Sequence, residues 1–414
     1  MRVLEPVASV DSDPAPIPLF GPRFLNDPRG LYREMRRGHG AVVPVELPGG
    51  LPAWLVIGYR ELHQVTSDPE LYPRDAALWN QWPNVPPDWP LLPILPISPS
   101  PALADNTHRA QQANLDAALE TMDAFALRRD CEELSDRLID SFCGRGTADL
   151  VGAFAEPLPV LALARLIGLP DAEGLELLRS MEVIGDAGAD SMQAYGRLAE
   201  SMRQLIIHKR DRPGPDLATA LLQQGTYTEE ACGLTLMSVL FAGHITTADW
   251  LVHSMRLMLT DDRFASAFGG GRRSIGQAMN EVLWEETPTQ ILAGRWAARD
   301  TRLGDKVIRA GDMLLLGLAA ANSDPEVRQY TGVEPSSIGN SAHFAFGHGE
   351  YRCPYGAQQM AETIARTGIE VLLDRLPDID LAVEPETLVR RPSPFLSGMT
   401  SLPVRFTAVR PLSG

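Results

Sequence analysis

The sequence predicts a mainly helical fold with a small β-rich region, and three observations carry that expectation. From His108 to about Phe268, apolar residues recur at helical spacing nearly throughout. Within that stretch, Thr228 to about Leu259 contains no proline, enough at 1.5 Å per residue for a helix of about 45 Å. Nearer the N-terminus, Val42-Val43-Pro44-Val45 and Trp54-Leu55-Val56-Ile57 flank Pro48-Gly49-Gly50, the pattern of a hairpin over 41–59.

Taken in order, the hairpin is followed by a segment from Pro73 to Pro101 with nine prolines and three of the seven tryptophans, Trp79, Trp82 and Trp89. So much proline forbids one continuous helix, and so many aromatics are not left in water. The helical stretch is then broken at Gly144 and Gly146, at Gly168-Leu169-Pro170, between Gly185 and Gly188, and at Pro213-Gly214-Pro215. Thr228 is the expected cap of the long helix. The run Gly269-Gly270-Gly271 reads as a linker, since it lacks the further residues of a phosphate loop.

Composition narrows the function classes. Hydrophobic residues make up 44% and charged residues 22%, ordinary for a soluble protein with a large core. A net charge of −16 argues against nonspecific binding to nucleic acid or anionic membrane. No basic and apolar leader opens the chain, and the longest apolar candidate, Ala231 to Gly243, is too short to span a bilayer. Cys131, Cys143, Cys232 and Cys353 show no Cys-x-x-Cys spacing, so neither zinc nor a disulfide framework is suggested. A reducing, bacterial-type cytoplasm without a membrane anchor fits.

Residues 343 to 354 read His-Phe-Ala-Phe-Gly-His-Gly-Glu-Tyr-Arg-Cys-Pro, and a helix-like run follows at once. Gly347 and Gly349 allow a tight turn and a close approach to a flat ligand. The positive end of the following helix favours a thiolate at Cys353. A thiolate so placed suits haem iron and favours O–O cleavage. Here the chain resembles the cytochrome P-450 superfamily of the soluble bacterial class. Its ligand loop has the pattern Phe-Gly-x-Gly-x-His/Arg-x-Cys-x-Gly, which Phe346, Gly347, Gly349 and Cys353 match and Tyr351 and Tyr355 do not. In the middle of the long helix, Ala242-Gly243-His244-Ile245-Thr246-Thr247 resembles the motif Ala/Gly-Gly-x-Asp/Glu-Thr.

The resemblance spans nearly the whole chain and implies one P-450 domain over 1–414, a helical triangular prism. Its β-rich parts would lie at about 41–59, 289–317 and 385–407. It implies haem b between Gly243–Thr246 and the Cys353 loop, with Cys353 as the iron ligand. Gly243 would leave room for dioxygen, and the Thr246 hydroxyl would relay protons. His343, Phe346, Gly347 and Gly349 would border the cofactor, and His108, Arg295 and Tyr351 would contact its propionates. The Pro-rich segment would roof the substrate pocket or be a surface loop with packed tryptophans. The break near Gly185 would be a mobile lid or a plain connection.

Departures from the pattern are as informative. The relay acid is Ile245, so a relay must use Thr246, Thr247, His244 or water. The arginine of Glu-x-x-Arg, counted from Glu281, is Trp284, and its second cationic partner falls at Ile338 when counted without gaps from Asn322-Ser323-Asp324-Pro325. With both cations gone, Glu281 is expected to be exposed, protonated or bonded to backbone donors. This pattern is similar to an actinobacterial P-450 family with Trp at that arginine. The arginine four residues after His108 is Gln112, which implies fewer fixed charges on the propionates. Two readings of function follow. The first is a monooxygenase taking electrons from a ferredoxin and ferredoxin reductase and inserting one oxygen atom of O₂ into a small apolar molecule. The second is a haem-bound regulatory or binding protein with weak oxygen activation, favoured by Ile245, Gln112 and Met360; a peroxide-using variant is a third.

Overall fold

The computed structural model describes residues 16–20, 23–24, 27–87, 89, 91–92, 105–185, 191–225, 228–269, 272–328 and 340–412. At 105–109, 182, 184–185, 191, 267–269 and 272–274 it describes the backbone only. The hairpin forms as its sequence implies. Strands β2 (Val42–Leu47) and β3 (Leu51–Val56) pair antiparallel from Val42↔Val56 to Leu47↔Leu51, and Gly49 and Gly50 supply the positive φ of the turn. With β1 (Ile17–Pro18), β5 (Leu292–Trp296) and β8 (Met313–Leu316) they build a five-stranded sheet in the order β1-β2-β3-β8-β5. A three-stranded sheet joins β4 (Thr147–Asp149), β10 (Pro403–Arg405) and β9 (Asp380–Leu381). Strands β6 (Thr301–Leu303) and β7 (Lys306–Ile308) form a ribbon. The expected region 289–317 is therefore strand-rich. The region 385–407 is mostly irregular, tied by the bridges Thr289↔Leu396 and Arg390↔Met399.

The helices are α1 (Pro28–His39), α2 (Tyr59–Ser67), α3 (Asp105–Glu120), α4 (Ala124–Asp140), α5 (Pro157–Ile167), α6 (Asp171–Gly185) and α7 (Ser191–Asp211). There follow α8 (Leu217–Gln223), α9 (Glu229–Thr260), α10 (Asp262–Gly269), α11 (Arg272–Glu285), α12 (Leu318–Asn322) and α13 (Tyr355–Arg375). The expected breaks at Gly144 and Gly146, at Gly168-Leu169-Pro170 and at Pro213-Gly214-Pro215 separate them, while residues 186–190 of the expected break near Gly185 lie outside the described residues. Gly168, at φ 95°, takes the left-handed conformation that ends α5. Helix α9 is capped by Thr228, whose hydroxyl accepts the Ala231 N–H at 3.2 Å, with Glu229 and Glu230 on its positive end. Its 32 residues span about 48 Å. Among the described helices it alone is long and apolar enough to cross a membrane, yet it packs against α5, α7, α11 and α13.

That packing places the core. One apolar cluster joins α4, α5, α7, α9 and α13, and a second lies between the five-stranded sheet and α1. Trp79 and Trp89 belong to the second cluster, their rings 5.4 Å apart, and the Trp89 indole donates to the Pro48 carbonyl at 2.7 Å. These tryptophans clamp the Pro-rich segment onto the sheet; residues 93–104 of that segment lie outside the described residues.

Candidate active site around Cys353

The Cys353 loop is built from two 3-10 turns, Phe344–Phe346 and Gly349–Tyr351, linked through Gly347 at φ 70°. The Cys353 N–H donates to the Phe346 carbonyl at 2.8 Å, folding the cysteine back over the first turn. Gly349, at φ 73°, lies where any Cβ would collide with the Thr66 carbonyl of α2. Gln112 of α3 donates to the Arg352 carbonyl at 3.1 Å, and Gln358 of α13 donates to that of Cys353 at 2.8 Å. The Phe346 ring sits 5.9 Å from that of Trp250, which seats the loop against α9. Burial, and then Asp116, pushes the Cys353 thiol up to about 12. This opposes the thiolate preference expected from the following helix.

Beside the loop stands a cationic pair. A bulge at Gly294, φ 108°, turns Arg295 inward from β5, its guanidinium carbon 4.3 Å from the centre of the Tyr351 ring. Burial, and then the neighbouring Arg74, pulls Arg295 down to about 10. Arg74, which the sequence reading missed, is also lowered by desolvation, though its surface is accessible. Neither arginine makes an ion pair with a carboxylate among the described residues. Two such cations facing one tyrosine, two residues from the Cys353 thiol, suit a dianionic group. His108 lies on α3, but its side chain is outside the described residues.

Across from the loop, the centre of α9 opens onto space. Ala242 is exposed, and Ile245 and Thr246 are half-buried, while residues 247–255 are buried. The Thr246 hydroxyl donates to the Ala242 carbonyl at 2.5 Å. A Cβ on Gly243 would meet Leu163 of α5 at 3.0 Å, so this glycine serves the close approach of two helices. His244 is turned away too, with Nε2 3.1 Å from the Glu156 carbonyl, and burial lowers it to about 4, so it stays neutral.

No family model matches the chain. It is 30% identical over 407 residues to cytochrome P450 monooxygenase PikC of Streptomyces venezuelae, covering 94% of this chain and 93% of that relative. The chain belongs to the cytochrome P450 family. Cytochrome P450 107B1 of Saccharopolyspora erythraea is 28% identical over 402 residues, covering 93% and 96% of the two chains. Among solved structures, CYP154C4 from Streptomyces sp. ATCC 11861 superposes with a TM-score of 0.84 at 27% identity, over 95% of this chain and 99% of that one. The helices and small sheets are thus the P450 fold, and the family implies a haem held by a thiolate. The residues present fit that group: one half-buried cysteine on a glycine-turned loop, two cations beside it with no ion pair among the described residues, and a partly open stretch of α9.

An ion network surrounds Glu281 on α11. Glu281, expected to be exposed, protonated or bonded to backbone donors, is half-buried and pairs with Arg328, while burial raises its pKa against that cation. The same guanidinium reaches Glu285 at 3.6 Å and lies 5.4 Å from the centre of the Trp284 ring. The Trp284 indole donates at 2.9 Å to the Asn340 carbonyl, which also accepts from Asn280 at 3.0 Å. His343, expected beside the cofactor, instead contacts this helix: its Nε2 is 3.3 Å from Asn280 Oδ1, and its ring stacks edge-on with Trp284. Trp284 is therefore a tether as well as apolar filling, and Arg328 supplies the cation. Ile338 lies outside the described residues. The one sequence signal for Arg328 was a lone cation shortly after Asp324.

Proposed function

We propose that the protein is a haem-thiolate monooxygenase that inserts one oxygen atom into a small apolar molecule, with electrons from a ferredoxin and its reductase. The observation that carries the reading is Cys353 beside Arg74 and Arg295, two cations with no ion pair among the described residues. In this reading Cys353 is the sole protein ligand to iron, and Arg74, Arg295, Tyr351 and His108 hold the propionates. Phe346, Gly347 and Gly349 keep the loop flat against the ring, and Ala242 and Thr246 face it from α9. Haem, when bound, supplies the oxygen chemistry. The chain fixes the thiolate, excludes water with the apolar faces of α5 and α9, and holds a hydroxyl at Thr246. Trp284 supports the narrower placement with the actinobacterial family that lacks the Glu-x-x-Arg arginine, and a cytoplasmic setting agrees with the reduced cysteines.

The decisive experiment is the carbon monoxide difference spectrum of the reduced, haem-loaded protein. Wild type should show the thiolate-type Soret band, and Cys353→Ser should lose it, whereas substitutions at the buried Cys131, Cys143 or Cys232 should not. A thiolate band that survives Cys353→Ser would sink the assignment.

A further inference from the structure

Helix α9 lacks an acid at Ile245 but buries one a turn further on. Asp249 is 1% exposed, and its position relative to Thr246 is i+3. Residues 242, 246 and 249 follow the i, i+4, i+7 rule and share one face of the helix. Neighbours on that face have Cβ atoms about 5–6 Å apart, a gap that one water can bridge between a carboxyl and a hydroxyl. The chain makes room for this acid. Asp249 Oδ1 occupies the place a side chain would take at Gly398, so any Cβ there would displace the carboxylate. Its Oδ2 accepts from Arg391 at 3.2 Å, and the other arm of that guanidinium reaches Glu156 at 3.3 Å. Glu156 is a third exposed and touches solvent, so the two carboxylates on Arg391 join buried helix to water.

We propose that Asp249 is the proton donor to Thr246, taking over the task of the acid that Ile245 has removed. The inference rests on the oxygen-activating reading above. The Asp249 O–H breaks, its proton passes to a bridging water, and a proton of that water reaches the Thr246 oxygen as the hydroxyl releases its own toward the pocket. No electron moves in this transfer. Arg391 does not titrate; it stabilises the carboxylate left behind, which regains a proton from solvent through water. Burial pushes Asp249 up to about 7, with Arg391 opposing and Glu156 adding to the rise, so both protonation states are reachable near neutrality. The other candidates on the helix do not compete. His244 is neutral and turned to Glu156, and His253 is fully buried, with Nε2 3.1 Å from Ser397 Oγ.

The test uses haem-loaded protein with NADPH, ferredoxin and ferredoxin reductase, and reads peroxide released per oxygen consumed. Asp249→Asn is isosteric and should keep the carbon monoxide band while raising the peroxide share several-fold. Adding Ile245→Glu to that variant returns an acid to the same face and should bring the share back down. Independently of turnover, the infrared carbonyl band of a protonated carboxyl should be present in wild type and lost in Asp249→Asn. An unchanged peroxide share, no rescue by Ile245→Glu, a wild type that already converts all its oxygen to peroxide, or an unchanged infrared band each overturns the inference. If the carbon monoxide band is missing from wild type, the enzyme reading falls and takes this inference with it. A normal band with any of those outcomes sinks the inference alone.

Discussion

Arg328 decides what Trp284 can become. An arginine at Trp284 would need a carboxylate partner, yet that carboxylate is already held. Two guanidiniums would then crowd Glu281 and Glu285, while the indole tether to the Asn340 carbonyl is lost. Trp284→Arg should therefore lower the thermal midpoint. Arg328→Met should also lower stability, by about 3–5 kcal/mol, because it strands a carboxylate in a largely enclosed site. The double variant Trp284→Arg/Arg328→Met restores one cation to Glu281, and its loss should be smaller than the sum of the two single losses. Strict additivity in denaturant midpoints would show that the two positions do not share one network. This network also marks the limit of local reading. The Gly347 turn was legible because its geometry is set by neighbours in sequence. Arg328 and Arg74 were not, because each acquires its role from a residue far along the chain.

At the scale of an element, α9 was the most legible part of the fold: its cap, its length and its lack of proline are all local properties. What the sequence did not reveal was which of its polar residues point inward and at what cost. His244 and His253 are buried, and desolvation first of all lowers them from 6.5 to about 4 and about 3. The unfolded chain therefore binds more protons than the folded one between pH 6.5 and those values, and stability must fall as pH falls through that window. Asp249 has the opposite sign. Its folded value, raised from 3.8 to about 7, makes stability fall as pH rises between them. Urea midpoints for His244→Gln should accordingly change less between pH 6.5 and 4 than those of wild type, and Asp249→Asn should remove a loss seen between pH 4 and 7. A wild-type slope retained by His244→Gln would mean that His244 titrates normally, and so is open to water.

The whole molecule carries −16 charges, and the groove beside Cys353 shares their sign. Asp116, Glu120 and Asp123 line it against Arg352 among the described residues, and the positions where the sequence lacks a cation, Gln112 and Met360, are committed to the Arg352 carbonyl and to the core. The sequence exposed the sign of the total charge but not its placement, since residues from α3, α4 and α13 meet there only in the fold. Placement matters for electron delivery. An acidic ferredoxin approaching this groove meets like charge, and at low ionic strength that repulsion acts over tens of ångströms. Added salt shortens the screening length to about 8–10 Å near 0.1–0.15 M, which should relieve the repulsion. The rate at which a reduced acidic ferredoxin delivers an electron to the haem-loaded protein should thus rise with salt over this range, as followed by stopped-flow under carbon monoxide. Asp116→Asn with Glu120→Gln should raise the low-salt rate and flatten the dependence. A wild-type rate that falls steadily with salt would show instead that an opposite-charge surface, outside this groove, receives the electron carrier.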